Sequence, residues 1–344
     1  MPVGIRCHGA RIRYYPRVRA YFCSISAVLF VAATVSAQVH TDSLCRPSLA
    51  PRTTGGSQVA DTTFNPHLPP PAFSVGQGPR VLLDEAHNNF HTVAGRYAPF
   101  VKIIRRDGFV VEPTRSRFSD ATLATATILV IANAMADRNK GNWSLPTPSA
   151  FGRDEIDAVR RWVMSGGSLL LIADHMPFGG ATADLASAFG VYMTNGFATD
   201  GRCSADEFVF TRADGLSRSH PITRGRNATE HIDSVRTFTG QAFRGDSSVR
   251  PLLVLAPETV LLLPVEAWKF SDATPRMAAD GMLQGAALTL GRGRVAVFGE
   301  AAMFSAQVSG AERRPMGMNA PAAGQNPQFL LNVMHWLAGL LPER

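Results

Sequence analysis

Carboxylate and imidazole side chains follow three short apolar segments of this chain, at the point where each segment ends. They are Asp84, Glu85, His87, His91, Asp174, His175 and Glu300. Apolar runs of this length are typical of buried strands. Parallel strands of an open α/β sheet present their carboxyl ends at one edge, where ligands bind. We therefore expect these side chains to form a single ligand site.

The first group combines Asp84 and Glu85 with His87 and His91, and its chemistry suits a metal ion. His87 and His91 are four residues apart, so one helical turn after the strand would place both imidazoles on one face. Carboxylates and imidazoles together suit zinc, manganese or iron, and the pattern predicts a divalent metal cofactor bound by these four residues. The alternative is structural, with Asp84 and His87 capping the turn that follows the strand.

The other two groups, Asp174-His175 and Glu300, suit proton transfer. Either carboxylate could act as a general base and His175 as an acid or a ligand, so we expect Asp174, His175 and Glu300 to be catalytic. Gly179-Gly180 could offer backbone N–H groups to an anion at the start of the next helix. The alternatives are that Asp174 is a turn residue and that Glu300 stabilises a helix N-terminus.

The elements that must position these residues alternate between strand and helix patterns. Predicted strands span 80–83, 109–112, 128–131 and 168–172, a predicted hairpin joins 284–290 to 294–298, and predicted helices span 97–107, 154–164, 184–189 and 327–340. This alternation predicts an α/β fold with a doubly wound, mostly parallel sheet and helices on both faces. Short apolar stretches within 191–280 predict a β-rich extension of the same domain, in which Asp200, Arg202 and His220 could close over the site.

The N-terminal pattern predicts export. An arginine-rich stretch precedes an apolar run, and Val35-Ser36-Ala37 fits a cleavage signal, so residues 1–37 are predicted to be a signal peptide and the mature protein to be periplasmic or secreted. Removing this segment takes away five arginines and no acids, which lowers the net charge from +7 to +2. We therefore expect no nucleic-acid partner, and no stable membrane span after cleavage. The alternative is an uncleaved membrane anchor.

The composition divides the rest of the chain into a linker and one folded domain. Residues 38–78 are rich in Pro, Ser, Thr and Gly and predict a flexible linker, and the domain is predicted to span 79–340. Cys45 and Cys203 remain after cleavage, and an exported chain could join them in one disulfide. The sequence leaves the oligomeric state open.

Four segments resemble a known family. They are Asp84-Glu85-Ala86-His87, Ala173-Asp174-His175, the run from Phe298 to Phe304, and Asn332 with His335-Trp336-Leu337. The likeness, over about residues 79–340, is to uncharacterised exported bacterial proteins of the class I glutamine amidotransferase-like superfamily, and it implies a flavodoxin-like fold. Amidotransferases of that superfamily use a Cys-His-Glu triad with the cysteine at a strand-to-helix elbow. The matching elbow here holds Asp174-His175, so glutamine hydrolysis by that triad is not expected.

Two functions follow from these patterns. The first is hydrolysis, metal-assisted or by carboxylate and histidine acid–base catalysis, on a small-molecule or carbohydrate-like substrate. Trp143 and Trp268 could stack on sugar rings, or belong to the core or its rim. The second is a non-catalytic binding or scaffold module that keeps the fold and has lost the triad.

Overall fold

The computed structural model of the protein describes residues 58–202 and 207–342. The strands are β1 (Val59–Ala60), β2 (Arg80–Asp84), β3 (Val110–Thr114), β4 (Ile128–Ala132), β5 (Ser168–Ile172), β6 (Val191–Met193), β7 (Phe197–Thr199), β8 (Glu207–Thr211), β9 (Ser234–Phe238), β10 (Phe243–Gly245), β11 (Arg250–Val254), β12 (Val260–Leu262), β13 (Arg276–Ala278), β14 (Leu283–Leu290), β15 (Gly293–Phe298), β16 (Ala306–Ser309) and β17 (Arg314–Gly317). The α-helices are α1 (Ala98–Arg106), α2 (Asp120–Leu123), α3 (Arg153–Met164), α4 (Phe178–Ser187), α5 (Pro221–Arg224) and α6 (Asn326–Leu337). The predicted signal peptide, the predicted linker up to residue 57, and both Cys45 and Cys203 lie outside the described residues.

Five parallel strands form one half of the main sheet, in the order β3-β2-β4-β5-β15. Numbered along the chain, this is the 2-1-3-4-5 order of flavodoxin-like, doubly wound sheets. The α/β class is therefore confirmed. The order reverses between β2 and β4, and the carboxyl ends of β2, β4, β5 and β15 are neighbours along one edge.

The other half of the main sheet is antiparallel. The predicted hairpin of β14 and β15 is present, and β10, β11 and β6 extend the sheet beyond β14. The sheet is therefore mixed rather than mostly parallel. Part of the segment 191–280, predicted as an extension, belongs to this sheet. Its remaining strands form a three-stranded sheet (β13-β12-β7) and a two-stranded ribbon (β8-β9).

Successive side chains of the central strands point to opposite faces of the sheet, and each face packs into its own hydrophobic core. In β2, Val81 and Leu83 belong to one core, together with Phe100 of α1 and Phe329 of α6. Leu82, between them in sequence, belongs to the other core, with residues of α3 and α4. The sheet thus has helices on both faces. No helix in the described ranges is long and apolar enough to cross a membrane.

Residues 58–78 pack against the folded body instead of forming a linker. β1 pairs with β16, and the Phe73 ring meets Phe109 edge-on with centroids 5.2 Å apart. The Ala72 N–H donates to Asp107 Oδ1 at 2.9 Å, and Lys102 Nζ donates to the Phe64 carbonyl at 2.8 Å. The domain therefore begins at least 21 residues before the predicted boundary at residue 79. The composition of this segment predicted a linker because it is mostly polar and rich in proline. Phe64 and Phe73, however, pack against the hydrophobic core and hold the segment in place.

Candidate functional site

Two carboxylates lie side by side at the carboxyl edge of the sheet. Asp174 follows β5 and Glu300 follows β15, and these strands are parallel neighbours with Phe298 aligned to Ile172. The Ala173 N–H donates to the Phe298 carbonyl at 3.0 Å and holds the two strand ends together. The fold therefore brings together Asp174 and Glu300, two of the three residues predicted to be catalytic.

Burial controls the protonation of this acid pair. Glu300 is fully buried and accepts the N–H groups of Ala302 and Met303 at 2.6 and 2.7 Å. Burial, and then the negative charge of Asp174, raise the pKa of Glu300 well above its ordinary value. Burial also raises the pKa of Asp174, although the charge and N–H of His175 oppose the shift. The pair therefore holds a proton at pH values where isolated carboxyl groups are ionised.

His175 has a defined tautomer. Its Nδ1 lies 2.7 Å from the carbonyl oxygen of Met176, which can only accept a hydrogen bond, so Nδ1 carries the proton. In the neutral ring Nε2 is unprotonated, and it lies 4.0 Å from Asp174 Oδ1, beyond hydrogen-bond distance. Asp174 and His175 are 9% and 7% exposed, whereas Glu300 is 0% exposed. The imidazole and the Asp174 carboxyl are thus the members of this group that solvent can reach.

An aromatic rim adjoins His175. The rim consists of Phe90, Trp143, Phe178, Phe197, Trp268 and Phe270. Trp143 and Trp268 are partly exposed, and their ring centroids lie 6.2 and 4.7 Å from that of His175. Trp268 has a φ of +67°, which is unusual for a large side chain and requires the surrounding contacts to hold it. The two tryptophans that suggested sugar stacking therefore lie at the predicted edge.

His87 bridges two carboxylates. Its Nδ1 lies 2.9 Å from Asp84 Oδ2 and its Nε2 lies 3.0 Å from Glu155 Oε1, while the rings of Phe118 and Phe151 pack against it. Ionised carboxylates only accept, so the ring is an imidazolium with both nitrogens protonated. Burial opposes this charge, but the bonds and charges of Asp84 and Glu155 outweigh burial and raise the pKa of His87. We call Asp84, His87 and Glu155 the His87 bridge.

The four residues predicted to bind a metal are not brought together as a set. Both ring nitrogens of His87 are occupied by carboxylates, and Glu85 pairs with Arg115 at 2.9 Å. The His91 ring packs against Tyr97 at a tilt of 56°, with centroids 4.5 Å apart, and neither of its nitrogens has a hydrogen-bond partner. Within residues 58–202 and 207–342, no group of three or more His, Cys, Asp and Glu side chains could hold a metal ion. The arrangement therefore favours the structural alternative for Asp84 and His87.

Three residues that the sequence did not single out support the site. Asn133 follows β4 with a φ of +51°, and its Oδ1 accepts the Asp174 N–H at 2.9 Å. Gln241 donates through Nε2 to the carbonyls of Ala173 and Asp174 at 2.9 and 3.1 Å. Glu155 closes the His87 bridge. An asparagine directly after an apolar strand was a usable signal for Asn133, whereas Gln241 and Glu155 carried only turn and helix-start signals.

The glycine pair beyond Asp174-His175 serves packing. α4 begins at Phe178, before the predicted start at 184, so Gly179 and Gly180 lie in its first turn. A Cβ on Gly179 would lie 2.4 Å from Gln241 Nε2, and the Gly180 N–H already donates to Asn195 Oδ1 at 2.8 Å. The expected anion site at these two residues is therefore replaced by close contacts.

The residues predicted to close over the site are placed elsewhere. Asp200 and Arg202 line an open cavity of about 660 Å³ beside β7, β12 and β13. His220 packs on Trp336 with centroids 5.5 Å apart, and its Nδ1 accepts the Ile222 N–H at 3.1 Å. This cavity does not include the acid pair or His175, so its volume is no guide to the chemistry of the strand ends.

No family model and no curated protein matches the sequence. Among solved structures, the N-terminal domain of mmIFT52 aligns with a TM-score of 0.51 at 14% identity, over 75% of this chain and 97% of that domain. A protein described as thua-like, from Bacteroides uniformis ATCC 8492, aligns with a TM-score of 0.44 at 14% identity, over 77% and 94% of the two chains. Exo-beta-1,4-mannosidase Op5Man5, from Opitutaceae bacterium strain TAV5, gives 0.38 at 11% identity, over 78% and 37%. The first likeness shows a shared fold, and the other two are too weak to support a conclusion.

The His87 bridge predicts a bell-shaped pH dependence of stability. Because the folded-state pKa of His87 is raised from 6.5, its contribution is complete below about pH 6.5 and is lost as pH rises through the raised value. Backbone N–H groups and His87 outweigh burial and lower the pKa of Glu155 from 4.5, so its contribution is complete above about pH 4.5 and is lost as pH falls through the lowered value. The bridge should therefore stabilise most between about pH 4.5 and 6.5.

Urea unfolding of wild type and His87→Gln between pH 4 and 9 measures this contribution. The substitution removes the imidazolium between the buried carboxylates of Asp84 and Glu155, so we expect a loss of about 3 to 5 kcal/mol near pH 5.5 that shrinks as pH rises. His67→Gln, which changes an exposed histidine, is the matched control and should have little effect at any pH. A loss that stays constant from pH 4 to 9 would contradict a charged bridge.

Proposed function

We propose that the protein binds a carbohydrate-like ligand on the aromatic rim at the carboxyl edge of the sheet. The observation that supports this most directly is that the partly exposed Trp143 and Trp268 converge on His175. Apolar faces of sugar rings pack on aromatic side chains, while a few polar groups fix the orientation. Here the polar groups are Nε2 of His175 and the carboxyl of Asp174, and both can form hydrogen bonds with a sugar hydroxyl.

Titration of the full-length chain with a panel of oligosaccharides, followed by tryptophan fluorescence and calorimetry, tests this proposal. We expect at least one saturable ligand, and about tenfold or greater loss of its affinity in Trp268→Ala, since one buried aromatic contact contributes about 1 to 3 kcal/mol. Tyr192→Ala removes an exposed aromatic from an outer strand and is the matched control. A ligand that binds both variants with equal loss would place the site away from the rim.

A second candidate function is hydrolysis of the bound ligand. Its basis is the 4.0 Å separation between Oδ1 of Asp174, a carboxyl group whose pKa is raised by burial, and Nε2 of His175. In such a reaction Asp174 would donate a proton to the leaving oxygen, and His175 would take one from the attacking water. Glu300 is fully buried and would act by shaping the surroundings of Asp174, without contact with the substrate. Metal assistance has no support in the arrangement of the side chains.

Hydrolysis predicts that activity and binding separate on substitution. We expect Asp174→Asn and His175→Gln to lower turnover by about 10² to 10⁴, with ligand affinity within a few fold of wild type. Product release from whichever saccharide binds, followed by chromatography, measures turnover, and calorimetry measures affinity. Wild type that binds a saccharide without ever cleaving it would leave the non-catalytic binding module as the function.

We infer that the protein is exported and acts in the periplasm or outside the cell. The five arginines, the apolar run and the small residues before Gln38 support this inference. The mature net charge of +2 gives no basis for a nucleic-acid partner. N-terminal sequencing of the protein from cell fractions should find Gln38 as the first residue, outside the cytoplasm. An intact N-terminus in the cytoplasmic fraction would refute export.

A further inference from the structure

Three polar side chains around Phe90 have buried nitrogen atoms without a hydrogen-bond partner in the described part of the chain. They are both ring nitrogens of His91, Nε of Arg96 and Nδ2 of Asn133. His91 and Asn133 are themselves 3% and 0% exposed. A buried donor without a partner costs about 1 to 3 kcal/mol, and native proteins contain few of them. Their concentration at one place points to a ligand that supplies acceptors.

Arg96 gives this place a positive charge. Its guanidinium carbon lies 3.7 Å from the centroid of the Phe90 ring, and Nη1 reaches the Phe90 carbonyl at 3.5 Å. None of the carboxylates in residues 58–202 and 207–342 forms an ion pair with it. Burial lowers its pKa, which records the cost of holding this charge away from water. Arg96 is nevertheless partly exposed, so an anion from solution can reach it.

His91 and Asn133 add neutral hydrogen-bonding groups. Burial, and then the charge of Arg96, lower the pKa of His91 to about 3, so its ring is neutral and offers one donor and one acceptor. Oδ1 of Asn133 accepts a hydrogen bond from the Asp174 N–H, and Nδ2 of the same amide remains available as a donor. The Phe90 N–H donates to the Asn133 carbonyl at 2.9 Å and ties the loop that carries His91 and Arg96 to the end of β4.

The position of this group in the fold favours ligand binding. It lies between the carboxyl ends of β2 and β4, where the strand order reverses, and doubly wound sheets bind their ligands at this crevice. The Phe90 ring also lies 5.4 Å from Trp143 and 5.5 Å from Phe178, so the group continues the aromatic rim. A single ligand can therefore contact both.

We propose that Arg96, His91 and Asn133 form an anion subsite that binds the carboxylate of an acidic sugar whose ring packs on the aromatic rim. This proposal rests on the proposed function, because the rim is the carbohydrate site. A planar carboxylate matches the guanidinium fork, and the neutral imidazole and the amide donor can complete its hydrogen bonds. The subsite has one formal positive charge, which balances one carboxylate and not a phosphate dianion.

Calorimetry on the full-length chain tests the subsite with matched pairs of probes. The probes are D-glucuronate against D-glucose, D-galacturonate against D-galactose, and inorganic phosphate. We expect one uronate to bind at least about tenfold more tightly than its neutral partner. Arg96→Gln should remove that advantage and leave the neutral sugar within about twofold of wild type. Arg244→Gln, at an exposed arginine on β10, is the control and should change neither affinity.

Each other outcome overturns part of the proposal. Equal binding of uronate and neutral sugar, with loss of both in Trp268→Ala, refutes the subsite and leaves the rim intact. Phosphate that competes as well as the uronate shows a general anion site. If neither member of a pair binds, both the subsite and the carbohydrate function fail for these sugars. Thermal unfolding separates misfolding from lost binding, and Arg96→Lys, which keeps the charge, should retain part of the uronate preference.

Discussion

The close approach of two buried carboxylates, Asp174 and Glu300, is the constraint on which the carboxyl edge of this sheet depends. Like charges at adjacent strand ends, away from water, are unfavourable unless the pair shares a proton and accepts many hydrogen bonds. Backbone N–H groups of Ala302 and Met303 donate to Glu300, and the N–H of His175 donates to Asp174. The hydroxyl of Tyr97, just before α1, donates to the Ala301 carbonyl at 3.0 Å and holds the loop that follows Glu300. The loops around the pair are arranged to satisfy it.

This constraint explains why the chain between β9 and β10 passes so close to the acid pair. Gly240 has a φ of +82°, and a Cβ there would lie 2.5 Å from the Gly299 carbonyl oxygen. The next residue, Gln241, reaches the end of β5, and Gln284 donates to the Thr239 carbonyl at 2.9 Å. Two buried glutamines thus connect the antiparallel half of the sheet to the parallel half by hydrogen bonds, in addition to the pairing of β14 with β15.

Local patterns in the sequence predicted the parts of the fold that local chemistry determines. Apolar runs located β2, β4 and β5, and the glycines after β14 located the hairpin with β15. The carboxyl-edge position of Asp174 and Glu300 followed from strand order alone. The additions of β6, β10 and β11 to the main sheet depend on pairings between distant segments, which no local pattern encodes. Residues 58–78 were misread for the same reason, since their anchors lie on α1 and β16.

The metal hypothesis shows the same limit at the level of side chains. Asp84, His87 and His91 have the spacing of ligands, but Glu155, 68 residues beyond His87, takes the second ring nitrogen of His87. A histidine that bonds two carboxylates and a histidine that binds a metal can have the same neighbours in sequence, because a metal-bound histidine also commonly bonds a carboxylate through its second nitrogen. Only the tertiary partner distinguishes them. The bridge fixes the start of the loop from Glu85 to Tyr97, which carries Phe90, His91 and Arg96.

The carboxyl edge therefore has two electrostatic halves with different physical origins. Around Asp174 and Glu300, burial favours the uncharged forms of the acids, so this half presents hydrogen-bonding groups with little net charge. Around Arg96, a guanidinium that cannot lose its proton retains its charge despite burial. The aromatic rim runs between the halves, with Phe90 against Arg96 and Trp143 and Trp268 near His175. A ligand that spans the edge would therefore place a polar, neutral group near Asp174 and an anionic group near Arg96, and that asymmetry would fix the direction in which it lies.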